Sequence, residues 1–131
     1  MSLAATDYFA IVLATVVSMI VGTIWYTALA RHWQRAARFD VLGMSERSGN
    51  ILVAILSEFV MAAVFAVLLS HFETVSLLDA LLSAVFLWIG FVATTVIVNR
   101  RFQGFGWDLA AIDAGHWLMV LLGQGLVFGT F

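Results

Sequence analysis

Four apolar runs, at residues 8–30, 51–70, 75–98 and 109–131, constrain this chain more than any other feature of its sequence. At 1.5 Å of rise per residue, about twenty helical residues cross a hydrocarbon core of roughly 30 Å, and each run is at least about that long. With 63 % hydrophobic and 11 % charged residues and a mean hydropathy of +1.06, the chain is too apolar for a soluble domain, which averages about a quarter charged. The expected fold is all-α: a polytopic membrane four-helix bundle, up-down-up-down, in one four-span domain covering residues 1–131. No connector is long enough to fold a core of its own.

All six basic residues are arginines in two connectors: Arg31, Arg35, Arg38 and Arg47 follow the first run, Arg100 and Arg101 the third. Basic residues near span ends stay cytoplasmic, so these connectors are expected inside and both termini outside. Residues 1–7 carry no basic group and the first run exceeds the apolar core of a signal peptide, so the first span is expected to stay in the mature protein. Thr6 or Asp7 is expected to cap it, and Ser45 or Ser48 to cap the second helix after the breaks at Gly43 and Gly49. The absence of cysteine excludes disulfides and thiolate metal sites.

Ala10, Ala14, Ser18 and Gly22 recur every four residues, and Gly125 and Gly129 repeat the spacing. Such seams let helix backbones approach closely, and they predict a homo-oligomer, with a dimer favoured. The alternative is an accessory subunit of a larger membrane complex. Trp25, Tyr26, Trp33 and Trp107 suit the headgroup level. If residues 31–38 are helical, Arg31, Arg35 and Arg38 share an arc of about 60° that would face anionic headgroups. No nucleic-acid partner is expected.

The polar residues inside the runs need a reason, because a bilayer offers them no water. At 100° per residue Asp113, His116 and Gln124 share an arc of about 80°, so one face of the last helix is polar. Glu58 lies on a ridge with Ala54, Ala62 and Ala66, where helices meet. Asp79 opens the third run, where the helix dipole favours a carboxylate. Glu58, Asp113 and His116 fall about 6–10 Å in from the arginine-bearing ends of their helices. With Trp25, Tyr26, Asn99 and Arg100 they are expected to converge on an inward-facing vestibule. Trp88, near mid-span, lines it or packs, and Gln124 lies deeper. This ladder suits a hydrated path for a proton or small polar solute, since intramembrane carboxylates and histidine mark such routes.

The bland reading stands beside it. Asp113 sits near the wet end of its helix, Glu58 is neutral and bonded to Ser57, Tyr26 or a backbone carbonyl, and His116 is neutral and satisfied. Arg100 and His116 are the basic groups at a depth to pair with Glu58, and the favoured state of Glu58 is neutral and unpaired. A third reading is a divalent-metal site of Glu58, Asp113 and His116. His32, His71 and His116 are too scattered to ligate one haem iron, so no metal and no cofactor is expected. No nucleophile elbow, metalloprotease helix or phosphate loop occurs, and Ser57 and Ser83 have no evident base, which leans against an enzyme.

Read as text, Gly22-Thr-Ile-Trp25-Tyr26 running on to Trp33, then Leu87-Trp88-Ile-Gly90-Phe-Val-Ala-Thr94-Thr95, then Ile112-Asp113-Ala-Gly115-His116, resembles a bacterial family labelled domain of unknown function 1761. The resemblance covers nearly the whole chain and implies a small four-span protein of the bacterial cytoplasmic membrane with no assigned activity. Thr27-Ala28 stands where that family usually has a proline after Trp-Tyr, and Asp113 and His116 stand where it has Asn and Tyr.

Overall fold

The computed structural model describes residues 8–38 and 47–131, with side chains from residue 50 onward in the second stretch. Thr6, Asp7, Gly43 and Ser45, expected as caps and breaks, lie outside the described residues. The elements are α1 (Tyr8–Ala28), α2 (Ala30–Ala36), α3 (Arg47–Leu69), α4 (Leu77–Leu87), a π-helical stretch (Trp88–Ala93), α5 (Thr94–Phe102) and α6 (Trp107–Thr130). α4, the π-helical stretch and α5 form one rod. Four helices, Tyr8–Ala28, Asn50–Leu69, Leu77–Phe102 and Trp107–Thr130, are thus long and apolar enough to cross a membrane.

α1 is rich in β-branched residues, which are mediocre helix formers in water. In lipid the backbone has no water to bond, and that requirement overrides propensity. Its hydroxyls bond within the helix: Thr15, Ser18 and Thr23 donate to the carbonyls of Ile11, Ala14 and Met19 at 2.9, 2.8 and 2.8 Å.

The boundaries differ from expectation where local chemistry sets them. Ser48 and Gly49 lie inside α3 rather than before it. α4 starts with a capping box: Ser76 Oγ accepts from Asp79 N, and the Asp79 carboxylate accepts from Ser76 N, both at 3.1 Å. Asp79 therefore bonds its own helix end as well as facing the dipole. α5 continues to Phe102 and α6 starts at Trp107, so the last connector is residues 103–106 rather than ten residues.

Gly104 makes that turn. Its φ is +84°, Phe105 N donates to Arg100 O at 3.0 Å, and Gly104 N donates to Arg101 O at 3.1 Å. This is the paired bonding of a Schellman C-cap, with glycine at the left-handed position. Gly104→Ala is expected to cost about 1 kcal/mol, because a Cβ is disfavoured there. An unchanged midpoint in detergent unfolding would count against it.

α6 is the central helix. Half of its most apolar stretch is buried, against 11 % for the third span, which lies at the edge. Trp25 bonds Ile112, Ser18 bonds Gln124, and Ala10 clusters with Val127, so α1 runs antiparallel to α6. Leu77 against Gly129, Ala80 against Gly125 and Arg100 against Asp113 place the third rod antiparallel to α6 as well. Glu58 O near Gln124 and Phe65 against Phe128 make α3 parallel to it. The four long helices therefore alternate in direction. α2, the connector 103–106 and all six arginines gather at one end of the bundle, the arginine end.

The small-residue seams are used inside the chain. Ala10 and Ala14 pack with Ala62, Ala66 and Val127, Gly22 meets His116, and Gly125 and Gly129 meet the backbone of α4.

α2 also departs from expectation. It ends at Ala36, and Arg38 takes a φ of 52°, so Arg31, Arg35 and Arg38 do not share one helical face. Arg38 instead reaches the connector, where Nη2 donates to Gly104 O at 3.2 Å and the guanidinium lies 4.6 Å from the Phe105 ring centre. A carbonyl and an aromatic face hold it there.

Candidate functional site

At the arginine end, Asp113 is the hub. The side chain is almost wholly buried in α6, yet both carboxylate oxygens are used: the Tyr26 hydroxyl of α1 donates to Oδ1 at 2.7 Å, and Arg100 Nε of α5 donates to Oδ2 at 2.9 Å. Arg100 Nη1 also donates to Gln103 Oε1 at 3.0 Å. Charge-assisted bonds of this kind are stronger than neutral ones, so Asp113 ties three helices at one point.

The two tryptophans, Trp25 expected at a vestibule and Trp88 expected to line it or pack, each hydrogen-bond the backbone of α6. Trp25 Nε1 donates to Ile112 O at 3.0 Å and Trp88 Nε1 donates to Ala114 O at 2.7 Å. A helix carbonyl has a second lone pair to offer, and these indoles take it on the residues either side of Asp113. They fasten α6 to α1 and to the π-helical stretch. Asn99 is exposed, and its backbone carbonyl accepts from Gln103 N at 3.0 Å.

One turn further in, the His116 ring lies 4.8 Å from Tyr26 and 4.6 Å from Trp117 between ring centres. Gly22 makes the space for it, since a Cβ there would lie 3.0 Å from His116 Nε2. Nδ1 is buried with no hydrogen-bond partner among the described residues.

Deeper still, Gln124 joins α6 to α1 and α3. Its Nε2 donates to Ser18 Oγ at 3.0 Å and lies 3.4 Å from Glu58 O. Among the described residues, Gln124 Oε1 is buried without a partner, and so is Glu58 Oε2. Of the partners expected for Glu58, Ser57 is exposed, while the Tyr26 hydroxyl and Arg100 both bond Asp113.

Asp113, His116, Gln124 and Glu58 are thus all buried in the interior, but in two groups. Asp113 is satisfied at the arginine end, and the other three each carry one unpaired polar atom. Among the described residues no three His, Asp or Glu side chains come together to hold a metal ion. In the third reading's trio of Glu58, Asp113 and His116, both oxygens of Asp113 are already taken by Tyr26 and Arg100. Sequence reasoning placed Ser18 only in a packing seam and passed over Gln103. A serine on the helix face opposite a buried glutamine was the available signal for the first, and Gln103 three residues after Arg100 for the second.

The sequence model of a family described as a protein of unknown function (DUF1761) matches residues 9–129. No curated protein and no solved structure matches the chain.

Proposed function

The chain belongs to the family described as a protein of unknown function (DUF1761), and from the chemistry of its interior we propose a small membrane permeation unit for protons or a small polar solute. The observation that carries this reading is the set of three buried, unpaired polar atoms: His116 Nδ1, Glu58 Oε2 and Gln124 Oε1. Leaving such a group unpaired costs on the order of 1–3 kcal/mol, so three in one small interior call for a function or a transient ligand.

The order of the groups suits a relay. Asp113, Tyr26 and the half-exposed Arg100 stand at the mouth. His116 is about 4.5 Å further along α6, and Gln124 about 12 Å beyond that. α3 runs parallel to α6, so the side chains of Glu58 and Gln124 lean the same way, toward the arginine end, and stay at one level.

Reconstituted protein should therefore carry an imposed pH gradient into vesicles holding a proton-sensitive dye. Glu58→Gln should bring the signal down to that of empty vesicles while the protein still inserts and melts normally. Wild-type vesicles no leakier than empty ones would remove the proton form of this reading.

A second reading, an accessory membrane subunit without turnover, is favoured by one specific observation: Asp113 spends both carboxylate oxygens on cross-links between helices. A partner copurifying from native membranes, together with silent vesicles, would favour it.

A further inference from the structure

The orientation of the Gln124 amide is fixed by its neighbour. Ser18 has one hydroxyl proton and gives it to Ala14 O at 2.8 Å, so toward Gln124 it can only accept. The amide must therefore turn its NH2 to Ser18, at 3.0 Å, and its carbonyl oxygen away. The same NH2 lies 3.4 Å from the backbone oxygen of Glu58, which puts Glu58 and Gln124 at one level of the bundle. Each then presents a buried oxygen with no partner, Glu58 Oε2 and Gln124 Oε1.

Two oxygens without a hydrogen cannot bond each other. A water or an alkali ion would need room beside these oxygens, and Glu58 Oε2 and Gln124 Oε1 each expose less than 1 Å² to a water-sized sphere, with Ser18 and Gln124 at 0 % exposure. A proton occupies no volume. We propose that Glu58 and Gln124 form a proton-binding pair, in which the protonated Glu58 carboxyl donates through Oε2 to Gln124 Oε1.

The step is a plain proton transfer. An O–H bond forms on Oε2 as the donor's own N–H bond breaks, the donor being the imidazolium of His116, which is left as neutral imidazole, and the reverse step returns the carboxylate. Of the groups facing this level, α1 contributes the uncharged Ser18, and α6 contributes Gln124 with His116 on the side toward the arginine end. Asp113 and Arg100 are bound to each other at that end. α4 faces α6 with Ala80 and Ala84, and its one charge, Asp79, is bound to Ser76 at the helix start, away from the arginine end. The pair thus lies apart from the ion pair, and Ser18 acts as a positioning residue that aims the Gln124 carbonyl.

This inference narrows the permeation reading to the proton as substrate, and it rests on that reading only for transport, not for the pairing. Infrared spectra of the full chain in lipid nanodiscs at neutral pH test the pairing alone. A protonated-carboxyl band should be present, should vanish in Glu58→Gln, and should move to higher frequency in Gln124→Leu, where its acceptor is gone. Ser18→Ala, a small change on a folded helix, should broaden the band by freeing the amide to turn. The proposal is overturned by the absence of a Glu58 carboxyl band, by a band unmoved in Gln124→Leu, or by its bleaching when sodium replaces choline at constant pH. That last result would assign the oxygens to an alkali cation. A band that behaves as expected in a protein with silent vesicles keeps the pair and removes permeation.

Discussion

Arg100→Gln is expected to destabilise the bundle by ~2–4 kcal/mol, measured as the shift of the unfolding midpoint in mixed detergent micelles. The loss comes from Asp113. Its carboxylate is 6 % exposed and is held by one guanidinium and one phenol, so without Arg100 a buried charge keeps a single O–H donor. Breaking a fully buried pair costs about 3–5 kcal/mol. The lower range applies because the Arg100 side chain is 37 % exposed and its field is partly screened. The double variant Arg100→Gln, Asp113→Asn should recover most of the loss, since the neutral amide can still accept from Tyr26 and no charge is stranded. If the double variant is as unstable as the single one, the cost lies in lost packing of the arginine and not in the charge.

The other large effect is expected at the glycines of α6. A Cβ at Gly129 would come 2.8 Å from Leu77 Cα, and one at Gly125 would come 3.0 Å from Ala80 O. These neighbours are backbone, which cannot swing aside as a side-chain tip can. Overpacking typically costs about 1–3 kcal/mol, and a rigid neighbour puts Gly125→Leu and Gly129→Leu at or above the top of that range. Gly90→Leu is the control. Its site faces open space with nothing within 4 Å, and leucine is the better helix former, so that variant should be neutral or gain up to about 1 kcal/mol. Equal losses at all three positions would mean that helix breaking or lipid contact, rather than the α4–α6 contact, decides stability. The melting curve of each purified variant gives the comparison directly.

Hydropathy made the four long helices legible because lipid leaves a spanning backbone one simple way to bond itself. It made legible too that Glu58, Asp113, His116 and Gln124 turn inward, since three of them share a helical face and the fourth lies among alanines. Partners were harder to read. Arg100 and Glu58 looked matched in depth, but pairing also depends on which helix faces which, and the third rod packs on α6 rather than bringing Arg100 to α3. Ala10, Ala14, Gly125 and Gly129 lie against neighbouring helices of the chain, and spacing alone does not say which helix approaches a seam. Asp79 was assigned to the dipole although Ser76, three residues earlier, spelled a capping box. Nothing in the sequence announced the left-handed turn at Arg38, whose side chain reaches Gly104 and Phe105 far along the chain.

The π-helical stretch at residues 88–93 bears on how this span can change over generations. A π turn holds more residues than an α turn, the shape a helix takes when it absorbs an extra residue without passing the shift along. On one side of it Ala80 and Ala84 must meet α6, and on the other Arg100 must meet Asp113. In an uninterrupted α-helix those demands would be locked in one phase, and any insertion between them would swing Arg100 by about 100°. The stretch works instead as a vernier. Single-residue insertions and deletions between 85 and 94 are therefore the length changes this fold is best equipped to inherit, and relatives of different span length can keep both ends in register.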